Sequence, residues 1–129
     1  MKRIAALLVF VFGFAGTAFA DPVEGIWKTQ VDDGAFAYVT IAPCGGKLCG
    51  VITRTFNDEG EYKSDNIGRK LVWDMSPNGR GKYSGGKIWQ PSTDKVFKSK
   101  MTLSGDVLKV AGCVAGGLIC KKQTWTRVQ

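Results

Sequence analysis

From residue 24 onward, apolar and polar side chains alternate in short runs, as in Val39-Thr40-Ile41, Lys100-Met101-Thr102-Leu103 and Leu108-Lys109-Val110. A period of two puts one set on each face of an extended chain, so each run predicts a half-buried β-strand. Glycine, asparagine, aspartate and serine separate the runs, and no long apolar stripe of helical period follows residue 20. Eight strands are predicted near residues 24–30, 36–43, 48–55, 70–75, 82–90, 95–103, 106–113 and 119–128. The expected turns include Asp32-Asp33-Gly34, Cys44-Gly45-Gly46-Lys47, Pro77-Asn78-Gly79 and Ser104-Gly105. Asn78-Gly79 and Asp33-Gly34 suit backbone positions of positive φ. The polar stretch from Phe56 to Arg69 predicts a long loop, with room for a helical turn. The fold class is all-β: a small closed or nearly closed antiparallel β-barrel of about eight strands, since closure removes edges that an open sheet would expose.

The first 20 residues follow another pattern. Met1-Lys2-Arg3 is positive, Ile4 to Phe14 is apolar, and small residues lead to Ala18-Phe19-Ala20 before Asp21. That order predicts a secretory signal peptide at residues 1–20, cut after Ala20. A spanning helix needs about 20 apolar residues without this small-residue exit. Removing the first 20 of 129 residues leaves 109, enough for a single domain at 21–129. No later segment is apolar enough to span a membrane, so a periplasmic or secreted protein is expected.

All four cysteines, Cys44, Cys49, Cys113 and Cys120, follow the predicted cut, and an even number in a small exported domain reads as two disulfides. Nearness favours Cys44–Cys49 and Cys113–Cys120, each across a hairpin. If Cys44 opposes Cys49, antiparallel register pairs Ala42 with Val51, Ile41 with Ile52 and Val39 with Arg54. The same rule at the second hairpin pairs Ala111 with Lys122 and Lys109 with Thr124, and sets Leu108 and Val110 against Trp125 and Gln123. Both bridges then fall on the more polar face, leaving the other for a core. A metal site is not expected: the spacings C-x4-C and C-x6-C are poor for zinc and the chain has no histidine.

The formal charge of +7 falls to +5 without Lys2 and Arg3, and it is unevenly spread. Asp21 to Asn66 has four basic and eight acidic residues, whereas Ile67 to Gln129 has twelve basic and three acidic. Lys98, Lys100, Lys109, Lys121 and Lys122 alternate with apolar residues, as solvated outward positions do; together they also offer a patch for an anionic envelope component or protein. Nucleic acid is disfavoured by the compartment.

Gly25-Ile26-Trp27 opens the first strand and Trp125-Thr126-Arg127 lies in the last, so closure would bring Arg127 over the Trp27 indole. The combination resembles the lipocalin and wider calycin barrels, in which G-x-W and a terminal arginine close the floor. Gly25, Trp27, Trp125 and Arg127 are therefore expected to be structural. A closer resemblance covers nearly the whole chain after residue 20. Gly25-Ile26-Trp27, Leu48-Cys49-Gly50-Val51-Ile52, Gly86-Lys87-Ile88-Trp89-Gln90-Pro91, Leu108-Lys109-Val110-Ala111-Gly112-Cys113 and Gln123-Thr124-Trp125-Thr126-Arg127-Val128 resemble the bacterial family DUF2147. Gln90 stands where that family usually has an acidic residue, and Phe97 where it often has tyrosine. The resemblance implies a lipocalin-like periplasmic barrel and no established activity.

Catalytic patterns are missing. Without histidine there is no Ser-His or Cys-His pair. Gly81 to Gly86-Lys87 mimics the start of a P-loop, but Ile88 replaces the required Ser or Thr. Asp58, Glu59, Glu61 and Asp65 lack EF-hand spacing and read as a solvated acidic loop; Asp32-Asp33 reads as a turn. No enzyme activity and no cofactor are expected. The aromatics can either plug a small barrel or line a pocket opposite Trp27 and Arg127. A small hydrophobic or amphipathic ligand would meet Val39, Ile41, Ile52, Trp73, Met101, Leu103 and Leu108. The rival is a filled barrel that binds an anionic partner, or inhibits an envelope enzyme, through its basic half.

Overall fold

The computed structural model describes residues 20–129; apart from Ala20, the predicted signal peptide lies outside the described residues. Nine strands follow in order: β1 (Gly25–Lys28), β2 (Phe36–Cys44), β3 (Lys47–Asn57), β4 (Gly60–Tyr62), β5 (Lys70–Gly79), β6 (Lys82–Gln90), β7 (Lys95–Ser104), β8 (Val107–Val114) and β9 (Ile119–Arg127). All pairings are antiparallel, in the order β2-β1-β9-β8-β7-β6-β5-β3, and β2 pairs back onto β3. Eight strands thus form a closed ring, and the short β4 is a flap on β3.

The predicted disulfides are both present, Cys44–Cys49 and Cys113–Cys120. At the second hairpin the expected register holds: Cys113 faces Cys120, Ala111 faces Lys122 and Leu108 faces Trp125. At the first it is displaced by two residues. Cys44 faces Lys47, while Ala42, Ile41 and Val39 face Cys49, Gly50 and Ile52. The cause is the turn: Gly45 (φ 64°) and Gly46 (φ 87°) supply the two positive φ values of a two-residue hairpin loop, so the bridge runs diagonally. An even displacement keeps every side chain on its face. Val39, Ile41 and Ile52 therefore still point inward.

Two further expectations change. Phe56 to Arg69 is not all loop, because β3 continues to Asn57 and folds back as β4. Phe36 stacks on Phe56 at 4.7 Å, and Arg54 pairs with Glu61 at 2.5 Å, holding that carboxyl below its usual pKa. The hairpin is fastened from outside, so it lacks the alternation of a buried strand. Pro77-Asn78-Gly79 belongs to β5, and the turn is Arg80-Gly81. An irregularity between Pro77 and Gly79 accommodates the proline, which has no N–H for the ladder.

Inward positions fill the ring. Trp27, Trp125, Met75, Leu108, Val39, Val72 and Val110 are completely buried, with Ile41, Ile52 and Met101 nearly so. Space for them depends on Gly50, where a Cβ atom would lie 2.7 Å from Val39 Cγ1 and 3.0 Å from Val72 Cγ2. Gly50→Ala is expected to lower stability by about 1–3 kcal/mol through overpacking, read as a fall in the urea midpoint at unchanged slope.

Candidate functional site

At one end the barrel is closed by its own chain. Trp27 opposes Arg127 in the β1–β9 pairing, and the guanidinium lies 4.4 Å from the indole centroid. Arg127 donates from Nη2 to the Pro22 carbonyl at 2.6 Å and from Nη1 to the Glu24 carbonyl at 3.1 Å, and it pairs through Nε with Asp106 at 3.1 Å. It thereby ties residues 22–24 across the opening. Val23 is buried, and its carbonyl accepts from Trp27 Nε1 at 2.8 Å. Gly25 is required beside this clasp: a Cβ there would lie 2.5 Å from the Gln129 carbonyl oxygen and 2.8 Å from Arg127 Nη1. Tyr83 donates its hydroxyl to Asp21 Oδ1; burial, then this bond, pushes the phenol above its ordinary pKa.

The seven residues predicted to line a lumen do not all share one environment. Val39, Ile41, Ile52, Met101 and Leu108 are inside, at 0–2% exposure. Trp73 and Leu103 are half-buried against that core. Trp73 stands in register with Lys87, one position from the inward Val72, which turns it to the outer side. A second tryptophan clasp lies on this half, with the Arg69 guanidinium 3.7 Å from the Trp89 ring centroid. Nothing in the alternation pattern links those two residues, because Arg69 lies in a loop.

Two depressions lie at the surface of the described residues, and neither is the lumen. One, of about 170 Å³, lies at the Trp27 end between Pro22, Arg80, Tyr83 and Leu103. The other, of about 280 Å³, lies on the outer face of β6–β9. Its sides are Lys82, Lys100, Lys109 and Lys122, and no carboxylate is among its lining residues. Register explains the cluster: Lys100, Ala111 and Lys122 form one row across β7–β9, and Lys82, Thr102, Lys109 and Thr124 form the next. Ala111 is the floor, at 2% exposure although it faces outward, because long lysine stems can lie over apolar surface. Lys109 Nζ donates to Thr124 Oγ1 at 3.0 Å. Four ammonium groups around one shallow basin, with hydroxyls between them, are chemistry for an anion. No group of metal-ligating side chains occurs among the described residues, and the acidic residues near Gly60 form none.

An eight-strand antiparallel ring whose first-strand tryptophan is clasped by a last-strand arginine is a lipocalin-like barrel. The structure is similar to that described as "Protein HP1028 from the human pathogen Helicobacter pylori belongs to the lipocalin family". The TM-score is 0.64 with 18% identity over 83% of each chain, a likeness of fold. The chain belongs to the bacterial family described as "Uncharacterized protein conserved in bacteria (DUF2147)", whose sequence model matches residues 25–127. No curated protein matches it.

Arg127→Lys keeps the charge but loses the planar fork over Trp27. It is expected to lower stability by about 1–2 kcal/mol, measured by urea unfolding with both disulfides intact.

Proposed function

We propose that this chain is an exported, non-enzymatic binding module that holds an anionic partner of the bacterial envelope on the outer face of β6–β9. The observation that carries the reading is the basin walled by Lys82, Lys100, Lys109 and Lys122, on a barrel whose interior is occupied by its own side chains. An internal ligand would have to displace buried side chains such as Met75 and Met101, whereas an anion meets the lysines with no rearrangement. Cleavage after Ala20 would release the domain into the periplasm or beyond, and two disulfides suit that oxidising compartment. Cleavage there would also make Asp21 the first residue, beside Tyr83 and with its backbone nitrogen 2.9 Å from Glu24 Oε2. Among the described residues no helix is long and apolar enough to cross a membrane.

A second reading, a small amphipathic ligand inside the barrel, is favoured by one observation. The Ser99 hydroxyl is buried on the inward face of β7 without a hydrogen-bond partner. It stands between Gly86 and Gly112 on the flanking strands, and the flexible Met75 fills the space beside Gly86. An orphan hydroxyl next to a displaceable methionine would give a ligand one polar anchor. Native mass spectrometry of protein from its own host separates the two: a co-purified hydrophobic molecule supports the internal site, and a clean apo mass supports the basin.

The basin itself is tested with sulfated dextran. The wild-type chain is expected to bind and to release as salt rises, because its charges are exposed. The pair Lys100→Glu with Lys122→Glu should weaken binding by roughly ten-fold or more without moving the unfolding midpoint appreciably. Equal binding by wild type and the pair would sink the proposal.

A further inference from the structure

The connection from β8 to β9 carries six successive residues without a charged or polar side chain, Val114-Ala115-Gly116-Gly117-Leu118-Ile119. In a barrel that buries both Trp27 and Trp125 completely, these residues face water. Val114 is 47% exposed, Ile119 64% and Leu118 87%. Val114 and Ile119 oppose each other across the hairpin, so they form the base of an apolar knuckle with Leu118 beyond it. Scattered exposed apolar residues are ordinary; a contiguous charge-free loop marks a contact surface.

Just below the knuckle comes positive charge. Cys113 and Cys120 bridge its stems, Lys121 and Lys122 follow on β9, and Lys98 stands opposite Cys113 on β7. At about 3.3 Å per strand residue, Lys121 lies about 7 Å and Lys122 about 10 Å from Ile119 along β9; Lys122 faces outward beside Ala111, and Lys121, beside Gly112, faces the barrel mouth. Lys122 is also a wall of the outer basin. An apolar tip over a cationic collar matches the layering of a phospholipid leaflet, where acyl chains lie beneath anionic headgroups. A second copy of this chain fits poorly, since pairing two such knuckles would bring like-charged collars together. Asp32 and Asp33 in the β1–β2 loop, Asp58 and Glu59 in the β3–β4 turn and Asp94 in the β6–β7 turn share this end, so the contact is confined to the knuckle rather than spread over the rim.

We infer that the β8–β9 loop seats Val114, Leu118 and Ile119 in the surface of an anionic phospholipid leaflet, with Lys98, Lys121 and Lys122 at the headgroup phosphates. The inference rests on the anion-binding reading of the basin that Lys122 helps to wall, and names its partner. Shallow insertion of a few side chains is weak alone, and the lysines supply the second attraction that stable docking needs.

The test uses the whole chain from Asp21 with both bridges oxidised, sedimented with vesicles of phosphatidylcholine alone or with about one-third phosphatidylglycerol. Wild type is expected to pellet with the anionic vesicles and far less with the neutral ones. Leu118→Asp should reduce that binding by roughly ten-fold or more, as withdrawal of a buried leucine implies. It should keep the wild-type unfolding midpoint and still bind sulfated dextran. Binding to dextran but not to anionic vesicles overturns the leaflet and leaves the basin standing. Vesicle binding that survives Leu118→Asp but fails in the Lys100→Glu, Lys122→Glu pair overturns insertion by the loop. A wild-type dimer that Leu118→Asp disperses, without vesicle binding, reassigns the knuckle to self-association. If neither dextran nor vesicles bind, the reading beneath the inference fails as well.

Discussion

The ring depends on its narrowest seam. Strands β1 and β9 meet through only two register pairs, Trp27 with Arg127 and Lys28 with Thr126. So short a ladder would leave two nearly free edges if backbone hydrogen bonds were all that joined it. Arg127 changes that, because one side chain stacks on Trp27, binds two carbonyls of the entering chain and pairs with Asp106 on the neighbouring turn. Around it the backbone of Ile26 exchanges hydrogen bonds with Val128 and Gln129, and Gln30 accepts from the Thr124 amide. The seam is therefore held by side chains at both of its ends. Closure then fixes the circumference, and a fixed circumference of eight strands leaves room inside for side chains and little else.

That constraint sets what each face of the ring presents. Two completely buried indoles, Met75, Met101 and a set of branched residues occupy the interior that a ligand would need. Because a strand offers its two faces to alternate residues, the positions between these core residues all project outward. On β6–β9 those positions are mainly lysine and threonine, which is why the basic excess of the second half becomes a face rather than a scatter. The acidic residues fall mainly on β1–β4 and their loops, the other side of the ring. One sequence asymmetry becomes one electrostatic asymmetry of the barrel.

The barrel was legible because its signals are local and redundant. Alternation, glycine turns and two close cysteine pairs each point to the same hairpins, and the register at Cys113–Cys120 follows from spacing alone. The register at Cys44–Cys49 did not, because cysteines five apart can be bridged straight across or diagonally, and the Gly45-Gly46 turn chose the second. The β3–β4 flap leaves no such signal, since all three β4 residues are exposed. Trp73 does not share the lumen expected of it, because Leu71 and Val72 are both buried and break the alternation on which that expectation relies. The lysine basin was half visible: spacing showed the residues outward, but only strand order puts Lys82 beside Thr102 and Lys109. Arg69 over Trp89 was invisible, being a contact between a loop and a strand.

Exposure of the β8–β9 knuckle is enforced by the structure around it. An apolar loop on a flexible stem would fold back and cover part of its own surface. Here Cys113–Cys120 holds the stems at the base, and Ala115, Gly116 and Gly117 take consecutive left-handed conformations at φ 55°, 69° and 96°. The alanine accepts a backbone region that costs a side-chain-bearing residue of order 1 kcal/mol. Inward collapse is also blocked, since Gly112, the nearest small inward residue, already has Ile88 Cγ2 3.4 Å and Phe97 Cβ 3.6 Å from where a Cβ would lie. Packing that fills the lumen thus keeps the loop out of it. The same full interior keeps Leu118 outside, at the tip of the half of the barrel that carries the lysines.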